Sequence, residues 1–345
     1  MKKLLPLCVM LLIAVIPEAF GQDPQFSQYY QAPLYLNPGF TGITPQQRFV
    51  LNHRIQWPNL PQAFSTYAFS YDIFVNELRS GFGVLVTTDK MGSAGWRTTT
   101  ASLMYSYKLK LTDNIVFSPG LSFGYGSNGL DRSKLVMGDG LEYDGISLDP
   151  DLNKLGRQNY FDFGSGFLLY SKRVWLGASF MHMNQPNLSV LNDVSRLQMK
   201  TAIHGGIRLS LAGGKVTKTT RATYLTPSFI YRMQGNTFSQ LDLGVNYHID
   251  PVSVGLWYRG KPFQKTVVSS IQQDALILYL GLYFKQLTIG YSYDFTVSNL
   301  QTASGGAHEI SIVYEFNTRS TKKDVKKKYK LIPCPTFNSK EGFWN

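Results

Sequence analysis

The largest group of side chains that could bind a ligand lies in one stretch, residues 126 to 159. Carboxylate oxygens clustered on a loop are typical calcium ligands, but the spacing of these acids does not match an EF-hand loop. We therefore expect a solvated acidic loop, with a calcium site as the weaker alternative. Because loops on rigid scaffolds often carry binding function, Asp139, Glu142 and Asp144 are candidates for contact with a partner. The acids of the stretch are Asp131, Asp139, Glu142, Asp144, Asp149 and Asp151.

The histidines form no catalytic or metal-binding pattern. They are scattered along the chain, and none has the spacing of a zinc ligand pair. The Gly-x-Ser-x-Gly, His-Glu-x-x-His and phosphate-loop motifs are absent from the sequence. The sequence therefore predicts a protein that is not an enzyme and has no cofactor and no metal. The five histidines are His53, His182, His204, His248 and His308.

The elements that carry these residues have the pattern of β-strands. From Arg48 to Phe316 the chain repeats segments of about nine to eleven residues that are apolar at alternate positions, the length and period of tilted membrane-spanning strands. No apolar run after the first 21 residues reaches the roughly 18 residues of a spanning helix. The composition agrees, with 22 Phe, 21 Tyr, 31 Gly and only 16% charged residues. About 14 cores are predicted: 48–57, 63–71, 80–89, 98–109, 114–125, 160–170, 173–182, 199–211, 223–233, 240–248, 252–259, 275–284, 287–294 and 308–316.

The alternation predicts which side chains face the interior of a barrel. Leu103 and Tyr105 share one face of their segment, and Ser102 and Ser106 share the other. In the last segment Glu309 and Glu315 lie on the face opposite to Ile310, Ile312, Tyr314 and Phe316. A carboxylate facing lipid would be costly, so both glutamates are predicted to face a polar interior. Segment 275–284, "ALILYLGLYF", is apolar on both faces. Its inward face should therefore pack against something other than open water.

The lengths of the connections favour an outer-membrane β-barrel over a soluble sandwich or propeller. Four connections expected on the periplasmic side are short, namely 110–113, 171–172, 249–251 and 285–286. The opposite series is mostly long: 90–97, 126–159, 183–198, 260–274 and 295–307. Outer-membrane barrels have this asymmetry. The exceptions are 58–62, 72–79 and 212–222. The predicted domain is an antiparallel transmembrane barrel over residues 48–316 with both termini in the periplasm.

Two segments precede the barrel. Residues 1–21 have the lysines, apolar core and small-x-small end of a secretory signal peptide, so the mature chain is predicted to begin at Gln22. The second segment is residues 22–47, and its stretch 22–42 contains three prolines, which exclude a helix interior or a paired strand. The segment is nevertheless too aromatic for a solvated leader, which is the alternative. We predict that it packs into the periplasmic mouth or the lumen through Phe26, Tyr29, Tyr30, Tyr35, Asn37 and Phe40.

The C-terminal tail, residues 317–345, is basic. It has eight Lys and Arg against two acids, which gives +6 of the formal net charge of +12. A disordered extension is one interpretation. The other is a periplasmic docking arm, in which Lys326, Lys327 and Lys328 belong to a basic spacer and Cys334, Pro335 and Phe337 to an apolar anchor. Nucleic acid is not expected as a partner in this compartment.

Four stretches carry a resemblance to a known family. They are "QDPQFSQYYQAPLYLNPGFTG" at 22–42, "GLWYRG" at 255–260, "GYSYDFTVSNLQTASGGAHEISIVYEF" at 290–316 and "CPTF" at 334–337. Together they resemble the PorP/SprF family of type IX secretion outer-membrane proteins. Gly39 stands where that family often has alanine.

The resemblance implies an outer-membrane protein of Bacteroidota that assists export or surface attachment of cargo with a type IX C-terminal domain. It implies as partners such cargo or a gliding-motility adhesin, a periplasmic ring lipoprotein with its partner subunit, and outer-membrane lipid. A passive channel or hydrophobic-compound transporter is the alternative. A third possibility, an outer-membrane hydrolase, would need a nucleophile, a base and an orienting group that the sequence does not show.

Overall fold

The computed structural model describes residues 23–60, 63–92, 95–130, 156–190, 193–211, 223–235, 238–265, 271–297, 305–316, 332 and 334–335. In these ranges sixteen β-segments are present, and two of them, Leu109–Lys110 and Leu209–Ser210, continue a longer strand past a single residue. The described part of the chain therefore contains fourteen strands. They are β1 (Gln47–Gln56), β2 (Phe64–Val75), β3 (Ser80–Met91), β4 (Trp96–Tyr107), β5 (Val116–Gly129), β6 (Arg157–Tyr170), β7 (Val174–Met181), β8 (Lys200–Ile207), β9 (Thr223–Gln234), β10 (Phe238–Ile249), β11 (Val252–Lys265), β12 (Ile271–Phe284), β13 (Leu287–Thr296) and β14 (Ala307–Phe316).

The strands form one closed antiparallel barrel. Each pairs with its neighbours in sequence, and β1 closes the ring on β14 with Gln47 opposite Phe316 and Gln56 opposite Ala307. Every described strand is therefore paired with a neighbour on each side over at least part of its length, as a sheet surrounded by lipid requires. The prediction of an antiparallel barrel of about 14 strands is confirmed.

Alternation sorts the side chains into a lipid face and a lumen face. Leu103 is 65% exposed on the outside of β4, whereas Ser102 and Ser106 are buried inside. On β14, Ile310 and Ile312 point outward and Glu309 is fully buried in the lumen. The prediction that Glu309 faces the interior is therefore confirmed. No helix in the described ranges is long and apolar enough to span a membrane.

Several predicted connections are shorter than expected. β3 continues to Met91 and β4 begins at Trp96, so the long connection predicted at 90–97 is a tight turn. Likewise β11 and β12 extend into the region predicted as the connection 260–274. The segment predicted as an over-long turn at 72–79 is mostly strand, because β2 continues to Val75 and a 3₁₀ turn covers Asn76–Leu78. The alternation of long and short connections is thus weaker than the sequence indicates.

The lumen holds the segment that precedes β1. We call the end of the barrel where β1 begins and β14 ends the lower end, and the opposite end the upper end. Asp23 lies near His182, which follows β7 at the upper end, and Gly42 lies near Gly81, at the lower end of β3. The segment contains the short helix α1 (Pro33–Leu36) and a 3₁₀ turn (Pro38–Phe40). It therefore runs through the lumen from the upper to the lower end before the chain enters β1.

Candidate functional site

The lumen segment, residues 23–46, is the candidate functional site because it fills the barrel where a channel would have a pore. Its prolines start the short helical turns, since Pro33 and Pro38 occupy the first positions of α1 and the 3₁₀ turn. Asn37 caps the second turn by accepting a hydrogen bond from Gly39 N (2.8 Å). The Asn37 amide also donates to the carbonyls of Phe167 (3.0 Å) and Ala178 (3.1 Å). One fully buried side chain thus joins the segment to two strands of the wall.

Aromatic rings fix the middle of the segment against β11 and β12. Tyr29 meets Trp257 edge-on (5.2 Å between ring centroids), and Tyr30 packs on Trp257 and Tyr279. The Gln31 amide donates to the Tyr279 hydroxyl (2.9 Å). The inward face of the doubly apolar stretch 275–284 is therefore covered by protein, as its composition predicts.

The other predicted aromatics also lie inside the barrel. Phe26 and Tyr35 pack edge-to-face within the segment (5.0 Å), and Phe40 stacks on His204 of β8 (5.2 Å). Such pairs contribute about 0.5–1.5 kcal/mol each beyond the area they bury. The structure thus brings all six predicted residues of this segment into contact with the barrel or with each other.

A charged network occupies the centre of the lumen. Arg54 contacts Asp294 (2.7 Å) and Glu309 (3.2 Å), and Arg259 contacts Asp294 (3.1 Å) and Asp242 (3.3 Å). Arg232 also contacts Asp242 (2.8 Å). We call these six residues the central network: Arg54, Arg232, Arg259, Asp242, Asp294 and Glu309. Three cations thus face three carboxylates within the central network. Such pairing offsets the large cost of placing charges away from water.

The lumen segment completes the central network. Glu309 accepts hydrogen bonds from the backbone N–H groups of Ser27 (2.7 Å) and Gln28 (3.0 Å). The Ser27 hydroxyl donates to Asp294 (2.6 Å) and accepts from Arg54 (2.7 Å) and Arg259 (2.9 Å). Charge-assisted hydrogen bonds of this kind are about twice as strong as neutral ones. Removing the segment would leave the buried charges of Glu309, Asp294 and Arg54 without these hydrogen bonds.

The lower end of the segment is held through backbone carbonyls. Lys108 donates to the carbonyls of Gly39 (3.2 Å) and Thr41 (2.7 Å). Two strand glycines permit the close approach, because a Cβ at Gly81 would lie 2.2 Å from Thr41 O and one at Gly120 would lie 2.4 Å from Pro38 C. Glycine is thus required there by the segment and not by the strand.

The upper end of the segment is held by Asp23. Its carboxylate meets His182 Nε2 (2.7 Å) and Lys200 Nζ (3.2 Å), and Asp162 meets His182 Nδ1 (3.0 Å). We call these four residues the upper latch. Burial alone would raise the pKa of Asp23, but the charges of His182 and Lys200 hold that pKa well below its usual value. Burial alone would lower the pKa of His182, but Asp23 and Asp162 raise it to about 9.

The contacts of the upper latch occupy both ring nitrogens of its histidine. Both ring nitrogens of His182 are hydrogen-bonded to carboxylates. A histidine in this state donates from both nitrogens and has none left to accept a proton from a nucleophile. No group of three or more His, Cys, Asp or Glu within the described ranges could hold a metal ion.

Above the segment the barrel wall encloses a cavity of about 650 Å³, which we call the upper cavity. The lumen segment forms its floor with Asp23, Pro24 and Tyr35, and β3 to β8 with the β7–β8 connection form its wall. The volume lies within the range of small-ligand sites. Its wall includes Leu85, Thr87, Asp89, Met91, Trp96, Thr98, Asn128, Tyr160, Asp162, His182, Arg196 and Lys200.

The described residues of the tail, 332 and 334–335, lie against the barrel at the lower end. Ile332 and Cys334 are buried in one apolar cluster with Phe40, Ile43 and Val116. Cys334 also lies within electrostatic reach of Arg48 and Lys108, which stand at the lower ends of β1 and β4. Pro335 is buried as well. The described part of the anchor thus packs on its own barrel, and docking of the tail to another protein stays a prediction.

The remaining candidates lie outside the described residues: Asp139, Glu142, Asp144, Lys326, Lys327, Lys328 and Phe337. The sequence interpretation missed the central network and the upper latch. A signal for part of the network exists, because Arg54, Arg259 and Asp294 stand at inward positions of alternating strands. No local signal pairs Asp23 with a histidine 159 positions away.

A protein-family model described as "Type IX secretion system membrane protein PorP/SprF" matches residues 18–314. No curated protein matches the chain. Among solved structures, the Pseudomonas putida toluene transporter TodX is 9% identical, with a TM-score of 0.46 over 83% of this chain and 94% of that one. The outer membrane protein Omp33 of Acinetobacter baumannii is 8% identical, with a TM-score of 0.41 over 81% of this chain and 100% of that one.

Proposed function

Because the chain belongs to the PorP/SprF family of type IX secretion system membrane proteins, we propose that it is a non-enzymatic outer-membrane component of that machinery. It assists export or surface attachment of cargo that carries a type IX C-terminal domain, and it binds periplasmic ring subunits. A role in gliding motility, through a dedicated adhesin as cargo, is the variant of this function that the family resemblance suggests.

The occupied lumen is the observation that favours this function over a passive channel. An open diffusion pore needs a water-filled path lined by groups that interact weakly with the solute. In this barrel the lumen segment crosses the interior and bonds to the central network at Ser27 and Gln28. Because its own chain fills the lumen, this barrel is better suited to binding partners at its two ends than to passing solutes. The passive channel or hydrophobic-compound transporter remains the alternative.

The two ends have different charges in the sequence. The connection between β5 and β6 contains Asp139, Glu142 and Asp144, and we propose that it contacts cargo on the cell surface. At the lower end, the chain leaves β14 at Phe316 and is held again at Ile332. Between these points lie seven Lys or Arg and one acid. We propose that this basic connection, tethered at both ends, binds an acidic surface of a ring subunit in the periplasm.

Affinity purification with mass spectrometry tests this function, using two triple variants as controls for each other. Lys326→Gln, Lys327→Gln and Lys328→Gln remove three charges from the basic connection, and Asp139→Asn, Glu142→Gln and Asp144→Asn remove three from the acidic one. The lysine variant should lose ring subunits and keep surface cargo, and the acidic variant should do the reverse. Substitution is preferable to truncation after Phe316, because truncation also removes the buried Ile332 and Cys334.

The wild-type purification also decides between the two functions. Recovery of neither ring subunits nor cargo, together with rapid swelling of liposomes that contain the barrel, would replace the secretion function with the channel.

A further inference from the structure

The proposed function assigns no role to the upper cavity. The charged groups that line the cavity indicate the chemical class of its ligand. Asp23 and Asp162 face the cavity, but both carboxylates are already paired with His182, and Asp23 also with Lys200. The third carboxylate of the wall, Asp89, is different. It is only 6% exposed and accepts one hydrogen bond, from the Thr66 hydroxyl (2.5 Å).

Asp89 has no cationic partner within the described part of the chain. A carboxylate that is buried without a cation is costly, and an incoming cation would recover much of that cost. Arg196 also lines the cavity, but it is exposed on the β7–β8 connection and forms no ion pair with a described residue. The cavity therefore has a buried negative group with room in front of it.

Aromatic rings line the same cavity. Tyr35, Trp96 and Tyr160 contribute to its surface. Ring faces attract ammonium and guanidinium groups, more strongly where water is excluded. Lys200 already uses this attraction, since its Nζ lies 4.7 Å from the centroid of the Tyr35 ring. A carboxylate next to aromatic rings is a suitable lining for an alkylammonium or guanidinium group on an apolar stem.

We propose that the upper cavity binds a lysine or arginine side chain of a polypeptide, with Asp89 as the anionic partner and Trp96 and Tyr160 around the stem. The inference rests on the proposed function, in which a polypeptide reaches the upper end of the barrel. The volume of about 650 Å³ accommodates such a side chain with the adjoining backbone. Binding would place the partner's charge beside the Asp23 end of the lumen segment.

Peptide titration of the purified full-length barrel in detergent tests the proposal. The probes are Ac-Gly-Lys-Gly-NH₂, its neutral match Ac-Gly-Gln-Gly-NH₂, and butylamine. The readout is tryptophan fluorescence, and Trp96→Phe identifies the part of the signal that comes from the cavity. The lysine peptide should bind at least about tenfold more tightly than the glutamine peptide.

Variants assign the binding to Asp89. Asp89→Asn keeps an acceptor for Thr66 and should weaken the lysine peptide about tenfold. The matched control is Asp113→Asn, in an exposed turn at the lower end, where the carboxylate pairs with Lys110. It should leave binding unchanged. Arg196→Gln removes a like charge from the cavity and should strengthen binding a few-fold.

Three outcomes would overturn the proposal: equal affinity for the lysine and glutamine peptides, no effect of Asp89→Asn in a correctly folded barrel, or butylamine binding as tightly as the peptide. The last would mean a site for small amines. If Asp89→Asn does not fold, the comparison of the two peptides and the Arg196→Gln variant still test the proposal. Because the assay contains no secretion machinery, its failure is distinct from failure of the proposed function.

Discussion

Glu309 shows how a single residue connects the lumen segment to the barrel. Its side chain is fully buried, and its two oxygens accept from Ser27 N, Gln28 N and Arg54. Glu309→Gln preserves the shape but replaces one acceptor oxygen with a donor that would face an N–H group. We expect a loss of about 2–4 kcal/mol from the free energy of unfolding. Thermal unfolding in detergent, followed by the mobility shift of the folded barrel on gels, measures it.

The control for this prediction is Glu77→Gln, the same substitution in an exposed turn. It should leave the unfolding temperature unchanged. Equal temperatures for Glu309→Gln and wild type would mean that the two backbone contacts of Glu309 add nothing to stability.

The upper latch predicts a pH dependence of the lumen segment. The pKa of His182 is raised from 6.5 to about 9, so its contribution to stability is full below pH 6.5 and is lost as the pH rises through 9. The pKa of Asp23 is lowered from 3.8, so its contribution is present above that value and is lost in stronger acid. A spin label at Gln25→Cys, in a Cys334→Ala background, should therefore become more mobile between pH 7 and pH 10.

His182→Gln is the control for the latch, because glutamine can donate a hydrogen bond to one carboxylate but does not titrate. In this variant the label should have the same mobility at both pH values. A pH response that persists without His182 would assign the titration to another group.

Residue-level prediction from sequence succeeded where a pattern was local. Glu309 could be assigned to the lumen from the isoleucines beside it, and the aromatics of 22–42 could be assigned to a packed segment from their number. Ser27 and Asp23 could not be recognised, because their partners lie 282 and 159 positions away. A serine and an aspartate near a predicted cleavage site have the same local pattern whether they are solvated or buried.

At the scale of elements, Gly120 allows the lumen segment to approach β5 closely. A Cβ at Gly120 would lie 2.4 Å from the backbone carbon of Pro38, and a backbone atom yields less easily than the end of a side chain. Gly120→Ala should therefore destabilise the barrel by about 1–3 kcal/mol and make residues 23–42 more sensitive to protease. Gly129→Ala is the matched control in the same strand, because its Cβ would meet the flexible Arg157 side chain. Unfolding and limited proteolysis of the two variants give the comparison.

The direction of the lumen segment differs from the sequence expectation for the termini. The sequence predicts both termini on the periplasmic side, but Asp23 lies at the upper end and Phe316 at the lower end. With Gln22 as the predicted first residue, the mature N-terminus would leave the barrel at the upper end. The sequence could not indicate this, because an irregular segment carries no periodicity from which its direction follows.

An epitope inserted between Gln22 and Asp23 tests that direction in cells. It should be labelled from the same side of the membrane as an epitope in the β5–β6 connection, and from the opposite side to one placed after Asn345. Labelling of the N-terminal and C-terminal epitopes from one side would contradict the path of the segment.

At the scale of the whole molecule, the barrel could be predicted from the sequence and its contents could not. Alternation fixes which face of each strand is apolar, and this requires closure around a polar interior. How that interior is filled depends on distant contacts, such as those of Asn37 with Phe167 and Ala178. The central network shows the same dependence, since charges from six different strands balance only when the barrel is closed.

The filled interior predicts that the intact barrel does not conduct ions. In planar bilayers the full-length protein should stay closed, because the lumen segment occupies the interior and Ile332 and Cys334 are buried against its lower end. Deletion of residues 23–42 should open a steady conductance if the strands still close. Because deletion also removes the hydrogen bonds that Ser27 and Gln28 form with Glu309 and Arg54, a second variant is needed. Ser27→Leu keeps the chain but removes the hydroxyl that bonds to Asp294, Arg54 and Arg259 and places an apolar side chain among these charges, which should expel the segment. Ser171→Leu, in a turn at the lower end, is the control and should stay closed. A steady conductance from the wild-type protein would show that the segment does not seal the barrel, and the channel function would then become the better explanation.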